Sequence, residues 1–277
     1  MGSISEQLDF SSLVALVREP NMCSGGRDTI RRIISECNIN NGDSILEVGS
    51  NTGYSSIEFA TTLPRSTIVG IDVNLTAVEF ARQKASDFKV PNVQFLCEDA
   101  RSLPFEDASF DIVFVSNVTS FIEDKEKAIS EYFRVLKPGG MLIAVPIYYR
   151  FNPPRNLLTE VSKAISTSIQ VWNKSDWIHM IYNVNKELFI YYQEDFSYVK
   201  TEDSQITEYV NMVMTQEHLQ YYSVEERETI KDRLKYFYRL FDKNLEYCGF
   251  SILCFKFKDA NNIPILHKVK QLKDNKD

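Results

Sequence analysis

The sequence predicts an α/β fold in which a mainly parallel, Rossmann-like sheet is covered by helices on both faces. Helix-like and strand-like periodicities alternate from residue 28 to about residue 147, which is the pattern of a parallel sheet with crossover helices. The run at 110–115 is almost wholly apolar, as in a central strand buried on both faces. From residue 141 onward the alternation stops and 22 of the 34 aromatic residues occur, which predicts an added helical, aromatic-rich lid.

The first half of the core is predicted to alternate three helices with three strands. Their ranges are helix 28–37, strand 44–48, helix 54–62, strand 67–71, helix 75–88 and strand 93–97. Each strand is a short apolar run, and each helix carries apolar residues on one face.

The second half of the core is predicted to contain the strand at 110–115, a helix at 123–136 and a strand at 141–149. The segment KPGG stops that helix, because Pro138 cannot continue a helix and glycine suits a left-handed cap. Later, apolar spacing predicts helices at 156–169 and 225–246. The segments 196–203 and 250–258 are predicted to form an antiparallel pair of strands at the sheet edge.

These elements predict one structural domain in three parts. Residues 1–147 form the core with an N-terminal helical segment, 148–246 form the lid interleaved with edge strands, and 247–277 form a final strand and a polar tail.

Composition narrows the class of partner. The net charge of −7 and the pI near 5.2 disfavour nucleic-acid binding, which depends on clustered lysine and arginine. The five cysteines are scattered and show no CxxC spacing, so they predict a reduced, cytoplasmic protein without a metal site. No stretch has the length and apolarity of a membrane span, so no membrane partner is expected.

Polar residues follow four strands of the predicted sheet. Glu47 leads into a turn between Gly49 and Gly53, and the other strand ends carry Asp72, Asp99, and Ser116 with Asn117. Ligands of open α/β sheets lie outside the carboxyl ends of the strands. Asp72 lies 19 residues after Gly53, where such folds place an acid that accepts hydrogen bonds from both ribose hydroxyls.

These strand-end residues would line one crevice, and their chemistry discriminates between cofactors. Its three acids, Glu47, Asp72 and Asp99, suit a cationic ligand better than a pyrophosphate. The turn Gly49-Ser-Asn-Thr-Gly53 lacks the G-x-G-x-x-G pattern of a dinucleotide site, and no P-loop pattern occurs. A nucleoside-containing, cationic cofactor is therefore favoured.

Four linked segments resemble the class I S-adenosylmethionine-dependent methyltransferases, especially the small-molecule branch similar to enzymes of ubiquinone biosynthesis. The segments are ILEVGSNTGYSS, IVGID, FLCEDARSLPFEDASFDIVFVSN and RVLKPGGML, in consistent order within about residues 25–147. The resemblance implies a seven-stranded methyltransferase sheet, S-adenosyl-L-methionine as cofactor, and methylation of a metabolite or natural product on O, N or C.

The resemblance also implies roles for individual residues. The loop around the methionine part and ribose would comprise Glu47, Gly49, Ser50, Asn51 and Gly53. The remaining cofactor contacts would come from Asp72 and Val73 at the ribose, Asp99 and Ala100 at the adenine, and Ser116 and Asn117 near the sulfonium. The segment MCSGGRDTI resembles a glycine-pair segment that closes over the methionine end, which adds Ser24, Gly25 and Gly26.

One residue departs from the family pattern. Asn51 stands where the loop usually has its middle glycine, and asparagine is the non-glycine residue that best tolerates a left-handed backbone. This departure keeps a second hypothesis open, a non-catalytic S-adenosylmethionine-binding protein, and an NAD-dependent oxidoreductase is a third.

A catalytic base is not evident from the sequence. His179 and Tyr149 are candidates, but a lone histidine in an aromatic segment is more often a packing or surface residue. The aromatic side chains of the lid could frame an apolar or cationic substrate, which predicts a hydrophobic or aromatic methyl acceptor, or they could be ordinary core residues or a homodimer contact.

Overall fold

A computed structural model describes residues 10–19 and 22–257. Its centre is a twisted sheet with the spatial order β3-β2-β1-β4-β5-β8-β6, and β7 pairs with β8 on the other side. The strands are β1 Ser44–Val48, β2 Thr67–Asp72, β3 Val93–Cys97, β4 Phe110–Ser116, β5 Leu136–Val145, β6 Ile147–Tyr149, β7 Leu188–Ser197 and β8 Cys248–Phe257. β1 to β5 are parallel, and β8 is antiparallel to β5, β6 and β7.

The strands β5 and β6 form one strand interrupted at Pro146. Ala144 of β5 pairs with Leu253, and Ile147, three residues later, pairs with Phe250, three residues earlier on the antiparallel β8. The register therefore continues across the proline, which lacks the N–H that a sheet ladder requires. Counted this way, the described sheet has seven strands, and the α/β fold predicted from the sequence is confirmed.

Nine α-helices surround the sheet in the part of the chain that the structure describes. They are α1 Phe10–Leu16, α2 Gly26–Glu36, α3 Tyr54–Thr62, α4 Leu75–Asp87, α5 Lys125–Val135, α6 Arg155–Ala164, α7 Lys174–Val184, α8 Asp203–Val213 and α9 Val224–Leu245. Short 3-10 helices occupy Val118–Phe121 and Glu217–Tyr221. α2 and α3 cover one face of the sheet, whereas α5 and α7 cover the other.

Several helices begin at side chains that satisfy free backbone N–H groups. The Asn74 side chain accepts a hydrogen bond from the N–H of Ala77 at the start of α4, and Asp124 accepts one from Lys127 at the start of α5. Ser223 and Glu226 form a capping box at the start of α9.

Four helices, α1, α6, α8 and α9, form a cap with its own apolar core. Leu13, Val210, Leu234 and Phe237 are among its fully or almost fully buried side chains. The cap thus joins the first described helix to helices that the sequence analysis assigned to the lid. The division of the chain at 147 and 246 stays a prediction, and the polar tail lies outside the described residues.

Two predicted elements of the second half differ from the structure. The strand predicted at 196–203 is wrong for most of its length, because the edge strand β7 ends at Ser197 and α8 begins at Asp203. The helix predicted at 156–169 ends at Ala164, since Ser166 has a left-handed φ of 53°. The antiparallel pairing of this edge with the 250–258 segment is confirmed by β7 and β8.

Candidate active site

The register of the parallel strands aligns the ends where the polar residues lie. Val48 of β1 pairs with Ile71 of β2 and with Val115 of β4, so these three residues form one row. The chain positions that follow them are Gly49, Asp72 and Ser116. The structure therefore brings the predicted strand-end residues to a single edge of the sheet, as the sequence analysis expected.

The turn after Glu47 is held by backbone hydrogen bonds to the neighbouring strand. The N–H groups of Gly49 and Ser50 both donate to the carbonyl of Ile71 at 2.8 Å. Asn51 has a left-handed φ of 45°, and its Oδ1 accepts a hydrogen bond of 2.7 Å from the N–H of Thr52. Asparagine therefore replaces the family's glycine without loss of the turn.

The two glycines of the turn are needed for packing within the protein. Gly49 and Gly53 have φ values of 79° and 80°, which side chains rarely adopt. A Cβ on Gly49 would lie 2.4 Å from a methyl carbon of Val118, and one on Gly53 would lie 2.6 Å from the ring of Phe95. The sequence analysis placed these glycines in the turn that would surround the cofactor, and their packing against Val118 and Phe95 is an addition to that prediction.

The carboxylate of Asp72 links two segments of the crevice. Its Oδ2 accepts a hydrogen bond of 2.9 Å from the N–H of Asn51, and its Oδ1 accepts one of 2.9 Å from the N–H of Asn74. Each oxygen of an ionised carboxylate has two acceptor positions, so each keeps one for a ligand.

Glu47 is buried at the base of the turn. Its Oε2 accepts a hydrogen bond of 2.5 Å from the hydroxyl of Ser56 on α3. Burial raises the pKa of the Glu47 carboxyl to about 7, although hydrogen bonds from Ser56 and Ser55 act in the opposite direction. Beside it, the hydroxyl of Ser50 is buried without a hydrogen-bond partner in the described part of the chain.

The glycine pair Gly25 and Gly26, at the start of α2, follows Cys23, which lies near Glu47. Burial, together with the nearby Glu47 carboxyl, raises the pKa of the Cys23 thiol to about 12. The hydroxyl of Ser24 is 2.7 Å from the hydroxyl of Tyr198, which follows β7. Gly25 has a φ of 76°, and Gly26 donates its N–H to the carbonyl of Cys23 at 2.8 Å. The predicted closing segment thus meets both the turn and the edge of the sheet.

The predicted adenine region contains an ion pair. The guanidinium of Arg101 approaches both oxygens of Asp99, with a shortest distance of 2.7 Å. Hydrogen bonds from Arg101 hold the pKa of the Asp99 carboxyl below its usual range. Ala100 is buried, while Val73 is 71% exposed at the open side of the crevice.

Asn117 joins the crevice to a small apolar cavity. It has a left-handed φ of 54°, and its Oδ1 accepts a hydrogen bond of 3.0 Å from the Ser120 hydroxyl. The cavity, about 20 Å³, lies between the ends of β4 and β5 and the helices α5 and α7, and Asn117, Pro146 and Trp177 are part of its lining. The indole N–H of Trp177 is buried without a hydrogen-bond partner among the described residues.

The two catalytic candidates, His179 and Tyr149, lie on α7 and β6. His179 is exposed on α7, whose buried side chains are Trp177, Met180 and Ile181. Tyr149 donates its hydroxyl to Oδ1 of Asn244 at 3.0 Å, and burial raises the pKa of its phenol to about 12. A phenol with that pKa is a weak candidate for a base at neutral pH.

A polar cluster that the sequence analysis missed lies under the cap. The Glu19 carboxylate accepts a hydrogen bond of 2.8 Å from the Tyr209 hydroxyl and another from the Tyr238 hydroxyl. The Thr52 hydroxyl of the glycine turn donates to the Glu19 carbonyl at 3.2 Å. These partners are far apart in sequence and follow no motif, so only the fold reveals them.

Comparison with known proteins agrees with this geometry. Residues 46–144 match the family described as "Methyltransferase domain". A ubiquinone/menaquinone biosynthesis C-methyltransferase, UbiE, of Marinomonas sp. is 30% identical over 145 residues, which cover 51% of this chain and 57% of that protein. The chain therefore spans little more than half the length of this curated relative.

Two solved structures share the fold. The crystal structure of the MccD protein has a TM-score of 0.71 at 23% identity, covering 86% of this chain and all of that one. Phosphoethanolamine N-methyltransferase 2 of Haemonchus contortus, solved with phosphomonomethylethanolamine and S-adenosylhomocysteine, has a TM-score of 0.66 at 16% identity, covering 90% of this chain and 57% of that one.

Fold and sequence together define the class of protein. Residues 46–144 match a methyltransferase domain, and the chain shares the fold of a solved methyltransferase. The resemblance in its motifs is thereby confirmed, as is S-adenosylmethionine as the cofactor of the class. No helix in 10–19 or 22–257 has the length and apolarity needed to cross a membrane.

Proposed function

We propose that this chain transfers the methyl group of S-adenosylmethionine to a small-molecule acceptor bound beneath the cap. The observation that carries the proposal is the Asp72 carboxylate, which is fixed by two backbone N–H groups and keeps one acceptor position on each oxygen. Those positions suit the two hydroxyls of a ribose. The unpartnered hydroxyl of Ser50 adds a second polar group suited to the ligand.

The residues present fit the cofactor in charge as well as in shape. Glu47, Gly49, Ser50, Asn51 and Gly53 would hold the methionine part and the ribose, with Ser24 and Gly25 closing over them. At the other end, Asp72 and Val73 would hold the ribose, Asp99 and Ala100 the adenine, and Ser116 and Asn117 the region of the sulfonium. The carboxylate of Asp72 supports a cationic ligand electrostatically.

The cofactor supplies an electrophilic methyl group on a sulfonium. The protein's part is to align the acceptor with that group and to exclude water, an effect of several kcal/mol. The cap contacts the glycine turn through Glu19 and Thr52, and the segment Cys23–Gly26 contacts Tyr198. Both could therefore position the acceptor and exclude water. The positions of His179 and Tyr149 favour a mechanism that relies on positioning rather than on either residue as base.

The proposal extends to the chemistry of the acceptor, the cellular compartment and the oligomeric state. The aromatic side chains Tyr209 and Tyr238 of the cap support a hydrophobic or aromatic acceptor. All five cysteines are free, in keeping with a reducing cytoplasm. Exposed apolar side chains such as Met212 and Tyr221 of the cap region are compatible with a homodimer.

Calorimetry with S-adenosylmethionine, S-adenosylhomocysteine and NADH tests the proposal. Micromolar affinity for the first two, no affinity for NADH, and formation of S-adenosylhomocysteine with an acceptor from a panel of hydrophobic and aromatic metabolites are expected. Binding without turnover of any acceptor would favour a non-catalytic binding protein. Binding of NADH alone would overturn the methyltransferase proposal.

A further inference from the structure

The half-buried carboxylate of Glu19 accepts its side-chain hydrogen bonds from neutral groups in the described part of the chain. Its two side-chain partners are the hydroxyls of Tyr209 and Tyr238, whose rings meet edge to face with centroids 5.6 Å apart. None of the ion pairs in the described part of the chain includes Glu19. The neighbouring Arg18 instead has its guanidinium over the ring of Phe80, 5.5 Å from the centroid.

Among the described residues Glu19 has no cationic partner, and this has an energetic cost. A buried anion is stable when it is paired or well hydrogen-bonded, and neutral donors compensate less than a cation does. Burial raises the pKa of Glu19 despite the two phenol hydrogen bonds, and the same burial together with the Glu19 charge raises the pKa of both Tyr209 and Tyr238. The cluster is therefore an acceptor of positive charge.

The cluster borders a cavity large enough for a metabolite. Tyr209 and Tyr238 line a cavity of about 470 Å³, together with residues 199–201, Gln205 and Ile206. This volume lies within the range of about 300–1,000 Å³ usual for small-molecule sites. The one cationic residue in the lining, Lys200, is paired with Glu246 at 3.5 Å.

Both ends of this region are tied to the predicted cofactor loops. Glu19 receives a hydrogen bond from Thr52 of the glycine turn. Tyr198, which precedes the cavity-lining Val199, is hydrogen-bonded to Ser24 beside the glycine pair. A ligand in the cavity would thus lie close to the segments expected to hold the methionine end of the cofactor.

Hydrogen-bond direction defines the chemistry of the cavity wall. Each phenol donates its hydroxyl hydrogen bond to Glu19, so only the lone pairs of the phenol oxygen are left for a ligand. Donation to a carboxylate makes that oxygen a stronger acceptor. Aromatic rings also attract cations. A wall of acceptors and aromatic rings, with the Glu19 carboxylate bonded to the two lining phenols, favours a ligand that donates hydrogen bonds and carries positive charge.

We propose that the cluster of Glu19, Tyr209 and Tyr238 recognises an ammonium group carried by the methyl acceptor, so that the substrate is a cationic, amine-containing molecule rather than a wholly neutral one. The inference rests on the proposed function, because it names the substrate class of the same site. It concerns recognition of the acceptor, and Glu19 acts here as an electrostatic anchor.

A pair of probes with the same shape tests the inference. 2-Phenylethylamine, which is protonated at neutral pH, and 2-phenylethanol are titrated into the S-adenosylhomocysteine-saturated protein, with ligand-observed NMR as the readout. The amine is expected to bind at least about tenfold more tightly than the alcohol. Glu19→Gln should remove that preference while leaving alcohol binding unchanged, and Glu208→Gln, an exposed glutamate on α8, should leave both unchanged.

Tyr209→Phe and Tyr238→Phe provide a second test that keeps the rings and the carboxylate. Each is expected to lower amine affinity several-fold without changing S-adenosylhomocysteine affinity, whereas Tyr221→Phe, an 84% exposed tyrosine, should have no effect. Equal binding of amine and alcohol, or no binding of the amine, overturns the inference. Failure of the wild type to bind S-adenosylhomocysteine would instead count against the proposed function, and the amine preference is then read on the free protein.

Discussion

The backbone N–H of Asn51 donates a hydrogen bond of 2.9 Å to Oδ2 of Asp72. This contact joins the glycine turn after β1 to the end of β2, which are 21 residues apart in sequence. Because the bond uses the backbone of Asn51, the residue that departs from the family pattern still supports the carboxylate that would hold the ribose.

Replacing Asp72 tests that carboxylate directly. Asp72→Asn keeps the size of the side chain but removes the charge and turns one acceptor into a donor that faces a backbone N–H. We expect S-adenosylmethionine binding to weaken by about 1–3 kcal/mol, the usual loss when a charge-assisted hydrogen bond is removed. Calorimetry measures it, and Asp232→Asn on the exposed side of α9 is the control. Unchanged affinity in a folded Asp72→Asn protein would exclude a ribose contact at this carboxylate.

Two substitutions at Asn51 separate conformation from side-chain chemistry. Asn51→Gly suits the φ of 45° and keeps the backbone bond to Asp72, so stability and S-adenosylmethionine affinity should both change little. Both variants lose the bond from Thr52 to the asparagine side chain, but Asn51→Ala must also hold a Cβ in the left-handed backbone, which predicts a loss of about 1–2 kcal/mol in the free energy of unfolding relative to Asn51→Gly. Urea unfolding measures the stability, and calorimetry measures the affinity. A large gain of affinity in Asn51→Gly would instead indicate that asparagine impairs the site.

Hydrophobic periodicity predicted the core because its elements are buried on defined faces. The strands β1, β2, β3 and β4 and the helices α3 and α4 begin or end within one residue of their predicted positions. The edge strand β7 was largely missed because it is half exposed and carries charged residues. One of these, Glu194, pairs with Arg32 at 3.0 Å across 162 residues of sequence, a compensation that no local pattern reveals.

The same contrast applies to the candidate site. Asp72 and Asn51 follow strand ends and a glycine turn, so topology alone predicts that they meet. Glu19 lies in no motif, and its phenol partners are 190 and 219 residues away. Its environment depends on how the cap closes over the sheet, which is a tertiary property.

Gly53 and Gly139 form a matched pair for the effect of packing at a left-handed glycine. Both have a φ of 80°, but an added Cβ would meet the Phe95 ring at 2.6 Å at Gly53 and no atom within 4 Å at Gly139. Gly139→Ala should cost about 1 kcal/mol through backbone strain, and Gly53→Ala about 2–4 kcal/mol because overpacking is added. Urea unfolding of both variants measures the difference. Equal losses would show that the turn moves away from Phe95 without cost.

The buried Glu47 predicts a specific pH dependence of stability. Its pKa is raised from an ordinary 4.5 to about 7, so folding favours the protonated carboxyl. Its contribution to the free energy of unfolding is therefore fully present below about pH 4.5 and is lost as the pH rises through about 7. Glu47→Gln keeps an acceptor for the Ser56 hydroxyl but cannot ionise.

Relative to the wild type, Glu47→Gln should thus become more stable as the pH rises from about 4.5 to about 8, by an amount on the order of 3 kcal/mol. Urea unfolding at several pH values measures this difference, and taking the difference between two proteins cancels the titration of all other groups to first order. Glu208→Gln, which changes an exposed glutamate, should show no such slope. A pH-independent difference for Glu47→Gln would mean that the carboxyl is ionised throughout, and that the hydrogen bonds from Ser55 and Ser56 outweigh its burial.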